Sequence, residues 1–447
     1  MNRFVNRYFF YYPIVLLRGQ MVPVYLRRMR RTQWYSADQL QQIQLQKLIR
    51  ILGYAKSENP YYRRALKDIE PDSFQSLTDL QRIPILTKEA MKEHFDDLRP
   101  KHLRGAIKKS TSGSTGNPVT VYKSLSASAA TYAAYWRGFE WADVHVGDPQ
   151  GRFWGVPHHQ NAIRLTKFTD IVMNRHRCSA FALKEEDLAG CYESLNRFKP
   201  RYFYGYVSML AEFAKFLIRN GLTLKYNLVC VITTSELLTE SHRALFENAF
   251  RCRVYNEYGS SELGTIAHEC EQGSLHISAE RMIVETVRAG RLAAPGESGN
   301  IVVTELNNRA MPLIRYSLGD SVTLTDQKCQ CGRGLPIIRE IAGRVYDTIY
   351  NRQGQPFTGH FFTYISADLE SRGFQLSGYQ VVQLDLDNLL VRLVTDEPDR
   401  QQLEKYLQER IGSGYGKDVR LHFEYVPEIE REKSGKIRQT KSMVKPE

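Results

Sequence analysis

Three groups of residues in this chain have types and spacings suited to chemistry. The first is Lys109-Ser110-Thr111-Ser112-Gly113-Ser114-Thr115-Gly116-Asn117-Pro118, hydroxyls and glycines between two strand-like runs. Glycine tolerates positive φ, so such a loop can turn its amide N–H groups toward one point and add hydroxyl donors to phosphate oxygens. It is not a Walker A loop: no Gly-Lys-Ser/Thr ends it, and Val119-Thr120-Val121-Tyr122 continues as a strand. Taken alone it fits a phosphate cradle or a solvated hairpin. The second group is Cys270 and His276 with Cys329-Gln330-Cys331-Gly332. Three thiols and an imidazole complete a tetrahedral set, the composition of a structural zinc site, and Gly332 lets the turn close. His268 is the alternative histidine, and four unrelated loop residues are the alternative reading. The third is Ser434-Gly435-Lys436 in a charged tail, which is either a solvated turn or an ammonium on a long stem presented by a glycine loop.

The elements that must position these groups read as α/β. Leu228-Val229-Cys230-Val231-Ile232-Thr233 is continuously apolar, as strands covered on both faces are, and a helix follows from about Thr239 to Phe250. Leu40, Ile43, Leu45, Leu48, Ile49 and Leu52 recur at helical spacing, and Thr87 is placed to cap a short helix. Beyond residue 347 the texture changes. Val381 to Val394 reads as two strands turned at Asp387-Asn388, Arg400 to Ile411 as a helix, and Val419, Leu421, Phe423 and Tyr425 as a half-buried strand. The resulting division is a basic aromatic segment at 1–37, a large α/β domain at 38–345 and a small α+β domain at 346–447.

The 447 residues are 42 % apolar and 25 % charged, which excludes a disordered or fibrous chain. Seven cysteines do not suit a disulfide-stapled scaffold, and Cys178, Cys191, Cys230 and Cys252 read as isolated, so a cytoplasmic, reducing setting is expected. The net charge of +12 owes much to seven arginines in residues 1–35, where no acidic residue occurs. They frame Tyr8-Phe9-Phe10-Tyr11-Tyr12-Pro13-Ile14-Val15-Leu16-Leu17, too short to span a bilayer and lacking a cleavage site. The segment suits packing against the large domain or lying on an anionic membrane surface, and its removal is expected to leave chemistry intact. No basic stripe with interleaved aromatics lies beyond it, so nucleic acid is not an expected partner.

Five segments in order resemble motifs of the adenylate-forming (acyl-CoA synthetase) superfamily. They are Thr111-Ser112-Gly113-Ser114-Thr115-Gly116, Asn256-Glu257-Tyr258-Gly259-Ser260-Ser261-Glu262, Arg315-Tyr316-Ser317-Leu318-Gly319-Asp320, Gly343-Arg344-Val345-Tyr346-Asp347 and Ser434-Gly435-Lys436-Ile437-Arg438. Asn59-Pro60-Tyr61-Tyr62-Arg63 and Leu80-Gln81-Arg82-Ile83-Pro84-Ile85-Leu86-Thr87-Lys88 are similar to its phenylacetate–CoA ligase branch, CapK-like members included.

The resemblance implies a large adenylation domain and a mobile C-terminal domain that convert a carboxylic acid and ATP to acyl-AMP and pyrophosphate, then pass the acyl group to CoA. It implies Lys436 and Glu262 as catalytic residues, Glu262 also holding Mg²⁺, and Tyr346-Asp347 as the hinge. ATP or AMP would lie against Ser112, Gly113, Ser114, Thr115, Gly116, Ser235, Glu236, Asn256, Tyr258, Gly259, Ser260, Ser261, Asp320 and Arg344. Tyr258 would stack on adenine, Ser261 would touch the α-phosphate, and Asp320 and Arg344 would reach the ribose. The aromatic run Tyr202-Phe203-Tyr204-Gly205-Tyr206 would line the acyl group, with Tyr204, Gly205, Tyr206 and Trp154 as the pocket; His158-His159 would line it or cap a loop. Branch members carry a comparable Cys/His cluster, which is expected to hold loops near the nucleotide.

Three positions depart from the pattern. Asn117 stands where a lysine is common, Tyr346 replaces the first hinge aspartate, and Ser317 replaces an arginine, with Arg315 two positions earlier. The altered hinge and the CapK-like resemblance permit one alternative, transfer to an amine or sugar in polysaccharide or secondary-metabolite biosynthesis. A second is a non-catalytic nucleotide-binding scaffold of a membrane-associated assembly with residues 1–35 as its membrane contact, against which Glu262 and Lys436 speak. The natural acid and the oligomeric state, a homodimer included, are not legible.

Overall fold

The computed structural model describes the chain apart from residues 101–104, 111–118, 155–159, 180–184, 237, 239, 343–348, 352–355, 358–360, 363–364, 366–367, 370–371, 373, 375, 396, 398, 417, 430–439 and 445–447. A mixed α/β architecture is built on one large sheet of 12 strands. Its order is Arg291–Leu292, Met282–Arg288, Ser298–Glu305, Tyr316–Thr325, Ile337–Ala342, Leu275–Ile277, Gly264–Glu269, Arg253–Ser260, Cys230–Thr234, Tyr202–Tyr206, Gln150–Trp154 and Arg175–Ser179. The last five pair in parallel, and the rest are antiparallel.

The parallel strands are covered on both faces, which explains their unbroken apolar runs. Tyr202 and Ile232 face the alanine-rich helix Leu125–Glu140, where Ala129, Ala130 and Ala133 permit close approach. Phe203 and Val231 face the other way, onto Phe213, Phe246 and Phe250 from the helices Val207–Arg219 and Glu240–Phe250. Ligands of such sheets bind beyond the carboxyl ends of the parallel strands.

The helix read at 38–52 runs from Ala37 to Glu58, opened by a capping box between Ser36 and Gln39 and closed at Asn59, which caps Pro60–Ala65. Thr87 caps Lys88–Glu93 by accepting from the Ala90 amide. Residues 3–17 and Val22–Thr32 are helical, with a π-helical stretch at Asn6–Tyr11. Tyr11, Val15, Val22, Leu26 and Met29 are buried against Leu125–Glu140, where the Trp136 indole donates to the Tyr11 hydroxyl at 2.8 Å. The N-terminal segment is therefore part of a core.

The C-terminal sheet has the order Arg420–Tyr425, Asn388–Thr395, Leu376–Gln383 and Thr440–Ser442. Its central hairpin turns where the Asp385 carboxylate accepts from the Asp387 and Asn388 amides, and Arg400–Tyr415 buries Leu403, Leu407 and Ile411 against it. The boundary expected at 345/346 falls outside the described residues. One cysteine expectation is corrected: Cys178 and Cys191 are not isolated but joined in a disulfide, because the strand Arg175–Ser179 lies beside the helix Glu185–Phe198.

Candidate active site and metal centre

The strand Cys230–Thr234 ends at Ser235, exposed with φ of 68°, followed by half-buried Glu236. Beside it Arg253–Ser260 carries Asn256, Tyr258, Gly259 and Ser260, with Asn256 opposite Thr233. A Cβ on Gly259 would meet the Gly264 carbonyl oxygen at 2.7 Å, so the tight hairpin requires glycine there. Ser260 Oγ accepts from the Leu263 amide at 3.1 Å and closes the turn that exposes Ser261 and buries Glu262.

Two motif segments far apart in sequence meet at this end. The Tyr258 hydroxyl donates to Asp320 Oδ2 at 2.8 Å, although three strands separate their strands in the sheet order. Glu262 Oε1 accepts from the Tyr316 hydroxyl at 3.3 Å and lies 3.8 Å from Lys88 Nζ. Lys88 carried no role in the sequence reading. Its position follows from Leu86, whose backbone donates to the Arg315 carbonyl and accepts from the Ser317 amide, so the Thr87-capped turn starts beside Tyr316. Arg315 does not replace the missing motif arginine. It is buried with φ of 48°, paired with Glu285 at 3.1 Å and donating to the Ile83 carbonyl at 2.6 Å, which makes it a brace for this segment.

At the neighbouring strand ends Trp154 stacks on Tyr204 with centroids 5.8 Å apart and packs on Tyr206 at 4.2 Å. The Arg152 guanidinium sits over both Trp154 and Tyr204. Gly205 is required because a Cβ would meet the Phe153 carbonyl oxygen at 2.4 Å. The expectation of a whole aromatic run lining the acyl group is corrected. Strand alternation sends Phe203 to the opposite core, and Tyr202 accepts from Gln150 deep under Leu125–Glu140, leaving Trp154, Tyr204 and Tyr206. Behind them Glu257, unassigned from sequence, accepts from the Tyr204 hydroxyl at 2.6 Å and from Thr265. Burial holds its carboxyl above the usual range.

Cys270, His276, Cys329 and Cys331 converge, with all four donor atoms within 4.8 Å of one another. Cys270 Sγ and Cys329 Sγ are 3.6 Å apart, and Cys331 Sγ lies 3.2 Å from His276 Nε2. Tetrahedral zinc thiolates would place their sulfurs about 3.8 Å apart, so the donor set fits the ion. His276 Nδ1 lies 3.1 Å from the Leu335 carbonyl, the backing that orients a metal-binding imidazole. His268, the alternative, points instead toward Glu257 and the Phe139 ring, where burial lowers its pKa to about 3. A link to the nucleotide motif exists: Glu269, next to Cys270, accepts from the Asn256 amide at 2.8 Å.

Ser112, Gly113, Ser114, Thr115, Gly116, His158, His159, Arg344, Tyr346, Asp347 and Lys436 lie outside the described residues. The phosphate-loop candidate is flanked by the strands Ala106–Ser110 and Thr120–Ser124, which pair antiparallel with Ser110 opposite Thr120.

The fold is that of the adenylate-forming ligases. A 2-hydroxyisobutyryl-CoA ligase in complex with 2-HIB-AMP and CoA in the thioesterification state superimposes with a TM-score of 0.63 at 19 % identity, covering 93 % of this chain and 92 % of that one. The sequence is similar to CapK and to phenylacetate–CoA ligases. Residues 365–443 match the CapK C-terminal domain. Protein CapK of Staphylococcus aureus is 25 % identical over 90 % of this chain and 89 % of its own length. Phenylacetate-coenzyme A ligase of Thermus thermophilus is 25 % identical over 86 % and 87 % respectively.

Proposed function

We propose that this protein is an acid–thiol ligase that activates a carboxylic acid with ATP and transfers it to CoA. The observation that carries the reading is the Tyr258–Asp320 hydrogen bond at the carboxyl end of the parallel strands, with buried Glu262 accepting from Tyr316 of the same motif as Asp320. A substrate carboxylate oxygen attacks the α-phosphorus, the bond to the β-phosphate breaks, and pyrophosphate leaves. The CoA sulfur then attacks the acyl carbon, and AMP leaves with that oxygen. Such steps need positioning and charge neutralisation more than covalent help.

In this reading Tyr258 fixes the plane of the Asp320 carboxylate for the ribose hydroxyls. Glu262, steadied by Tyr316 and facing Lys88, is the oxygen ligand for the Mg²⁺ that accompanies ATP. Trp154, Tyr204, Gly205 and Tyr206 form the acyl pocket, and their flat rings suit an aryl or apolar acid. Ser112–Gly116, Ser235, Glu236, Asn256, Ser260, Ser261 and Arg344 contact nucleotide, Lys436 bridges carboxylate and α-phosphate, and the C-terminal domain turns at Tyr346-Asp347. Zn²⁺ on Cys270, His276, Cys329 and Cys331 is structural, since four protein ligands leave no position for water. The protein acts in the cytoplasm, with peripheral membrane contact through residues 1–35 supported by their exposed aromatics.

The test is acid-dependent pyrophosphate release from ATP and Mg²⁺ across aryl and aliphatic acids, with and without CoA, and with Lys436→Ala as control. Release that needs one acid, accelerates with CoA and disappears in the variant supports the reading. Release indifferent to CoA favours the amine or sugar acceptor. Silence across the panel favours the scaffold.

A further inference from the structure

The N-terminal segment buries one face and leaves the other bare. Phe4, Phe9 and Leu17 are 62 %, 69 % and 86 % exposed. A second element adds to this surface. On the helix Gln160–Val172, Leu165, Phe168 and Ile171 form one stripe at three-residue spacing and are 61 %, 48 % and 60 % exposed. The two elements touch: Asn6 Nδ2 donates to the Val172 carbonyl at 3.0 Å, and Asn174 Nδ2 donates to the Met1 carbonyl at 2.9 Å. Gly147 lets the first turn lie close, because a Cβ there would meet the Arg3 carbonyl oxygen at 2.5 Å.

The exposed charges beside these apolar side chains have one sign. Arg18, Arg164 and Lys167 are exposed, Arg3 lies 3.8 Å from the buried Asp148, and residues 1–37 and 160–169 contain no acid. The first acid after the second stripe, Asp170, is taken up by Arg175 and Arg177. Large bare apolar patches mark interaction sites, and a cationic rim selects an anionic partner. A symmetric second copy would bring these cations against one another. Among the described residues no helix is long and apolar enough to cross a membrane, so the elements would lie in the headgroup layer.

We propose that residues 1–24 and the helix Gln160–Val172 form one composite docking face for an anionic lipid surface. This rests on the reading of residues 1–35 as a membrane contact and deepens it, adding a second element and the lipid charge. The full-length protein is sedimented with vesicles of equal parts phosphatidylglycerol and phosphatidylcholine, and with phosphatidylcholine alone. Binding to the anionic vesicles only, weakened by salt, is expected. Phe9→Ser with Leu17→Ser, and separately Leu165→Ser with Phe168→Ser, should each lower partitioning at least about tenfold. Arg164→Gln with Lys167→Gln should lower it severalfold. All these positions are exposed, and an unchanged near-ultraviolet circular dichroism spectrum verifies the fold. Loss in the N-terminal pair with full binding in the Leu165/Phe168 pair overturns the composite face while leaving contact through residues 1–35. No sedimentation of the full-length protein overturns both. Equal, salt-insensitive binding to neutral vesicles overturns the charge selection, and a dimer in solution broken by the same pairs assigns the face to a second copy.

Discussion

Replacing Tyr258 with Phe keeps the ring that would stack on adenine and deletes the 2.8 Å hydrogen bond to Asp320 Oδ2. Hydrogen bonds to charged groups contribute about 1.5–3 kcal/mol net. Asp320 is buried, so water replaces the lost donor poorly and the whole of that range applies. If the bond holds the carboxylate for the ribose, ATP binding should weaken about ten- to a hundredfold, with the turnover number within a few-fold of wild type. Asp320→Ala, which removes the acceptor, should weaken ATP at least as much. The double variant should fall short of the product of the two effects, with a coupling of about 1–2 kcal/mol, because the second change removes a bond already broken. The assay is the ATP dependence of pyrophosphate release, backed by ATP titration calorimetry. Unchanged ATP affinity in Tyr258→Phe, or strictly multiplicative effects, would refute the assignment of this pair to the nucleotide.

Gly205→Ala drives a methyl group into the Phe153 carbonyl oxygen at 2.4 Å and should destabilise the protein by about 1–3 kcal/mol, read as a lower urea midpoint; a wild-type midpoint would contradict the close packing. Burial raises the Glu257 carboxyl in the folded state, so the folded chain binds its proton more readily than the unfolded one and stability falls as pH rises from about 4.5 through the folded value. Glu257→Gln cannot titrate, so its urea midpoint should approach wild type at pH 4 and exceed it at pH 8, and a pH-independent difference would count against this. For the metal centre, purified protein should carry about one equivalent of zinc, and chelation should lower the thermal midpoint reversibly. Less than about half an equivalent, or full retention in Cys331→Ser, would remove the site.

Much of the fold and site was legible because it rests on local patterns. Continuous apolar runs announced Cys230–Thr234, and a C-x-C turn with a distant Cys and His announced a cluster that folding does assemble. What was not legible depends on tertiary neighbours. Arg315 resembles a displaced motif arginine until the buried Glu285 is seen beside it, and Lys88 gains meaning only through the backbone bridge from Leu86 to Arg315 and Ser317. Cys178 and Cys191 have no informative spacing, since a strand and a helix must pack before their sulfurs meet.

The N-terminal segment poses the same problem in its sharpest form, because packing and membrane contact were framed as exclusive. A helix has two faces, and here one packs while the other stays exposed. Tyr11, Val15, Val22, Leu26 and Met29 close the core over Ala129, Ala133 and Trp136, while Phe9 and Leu17 remain outside. Deleting residues 1–35 would uncover that core and leave the Trp136 indole without its Tyr11 partner, a loss of about 1–3 kcal/mol from the unsatisfied donor alone. Truncation should therefore abolish activity through misfolding, contrary to the expectation that the segment is dispensable. A truncated protein that stays soluble and releases pyrophosphate at the wild-type rate would show that the packing is incidental. Only substitutions on the outer face can separate docking from folding.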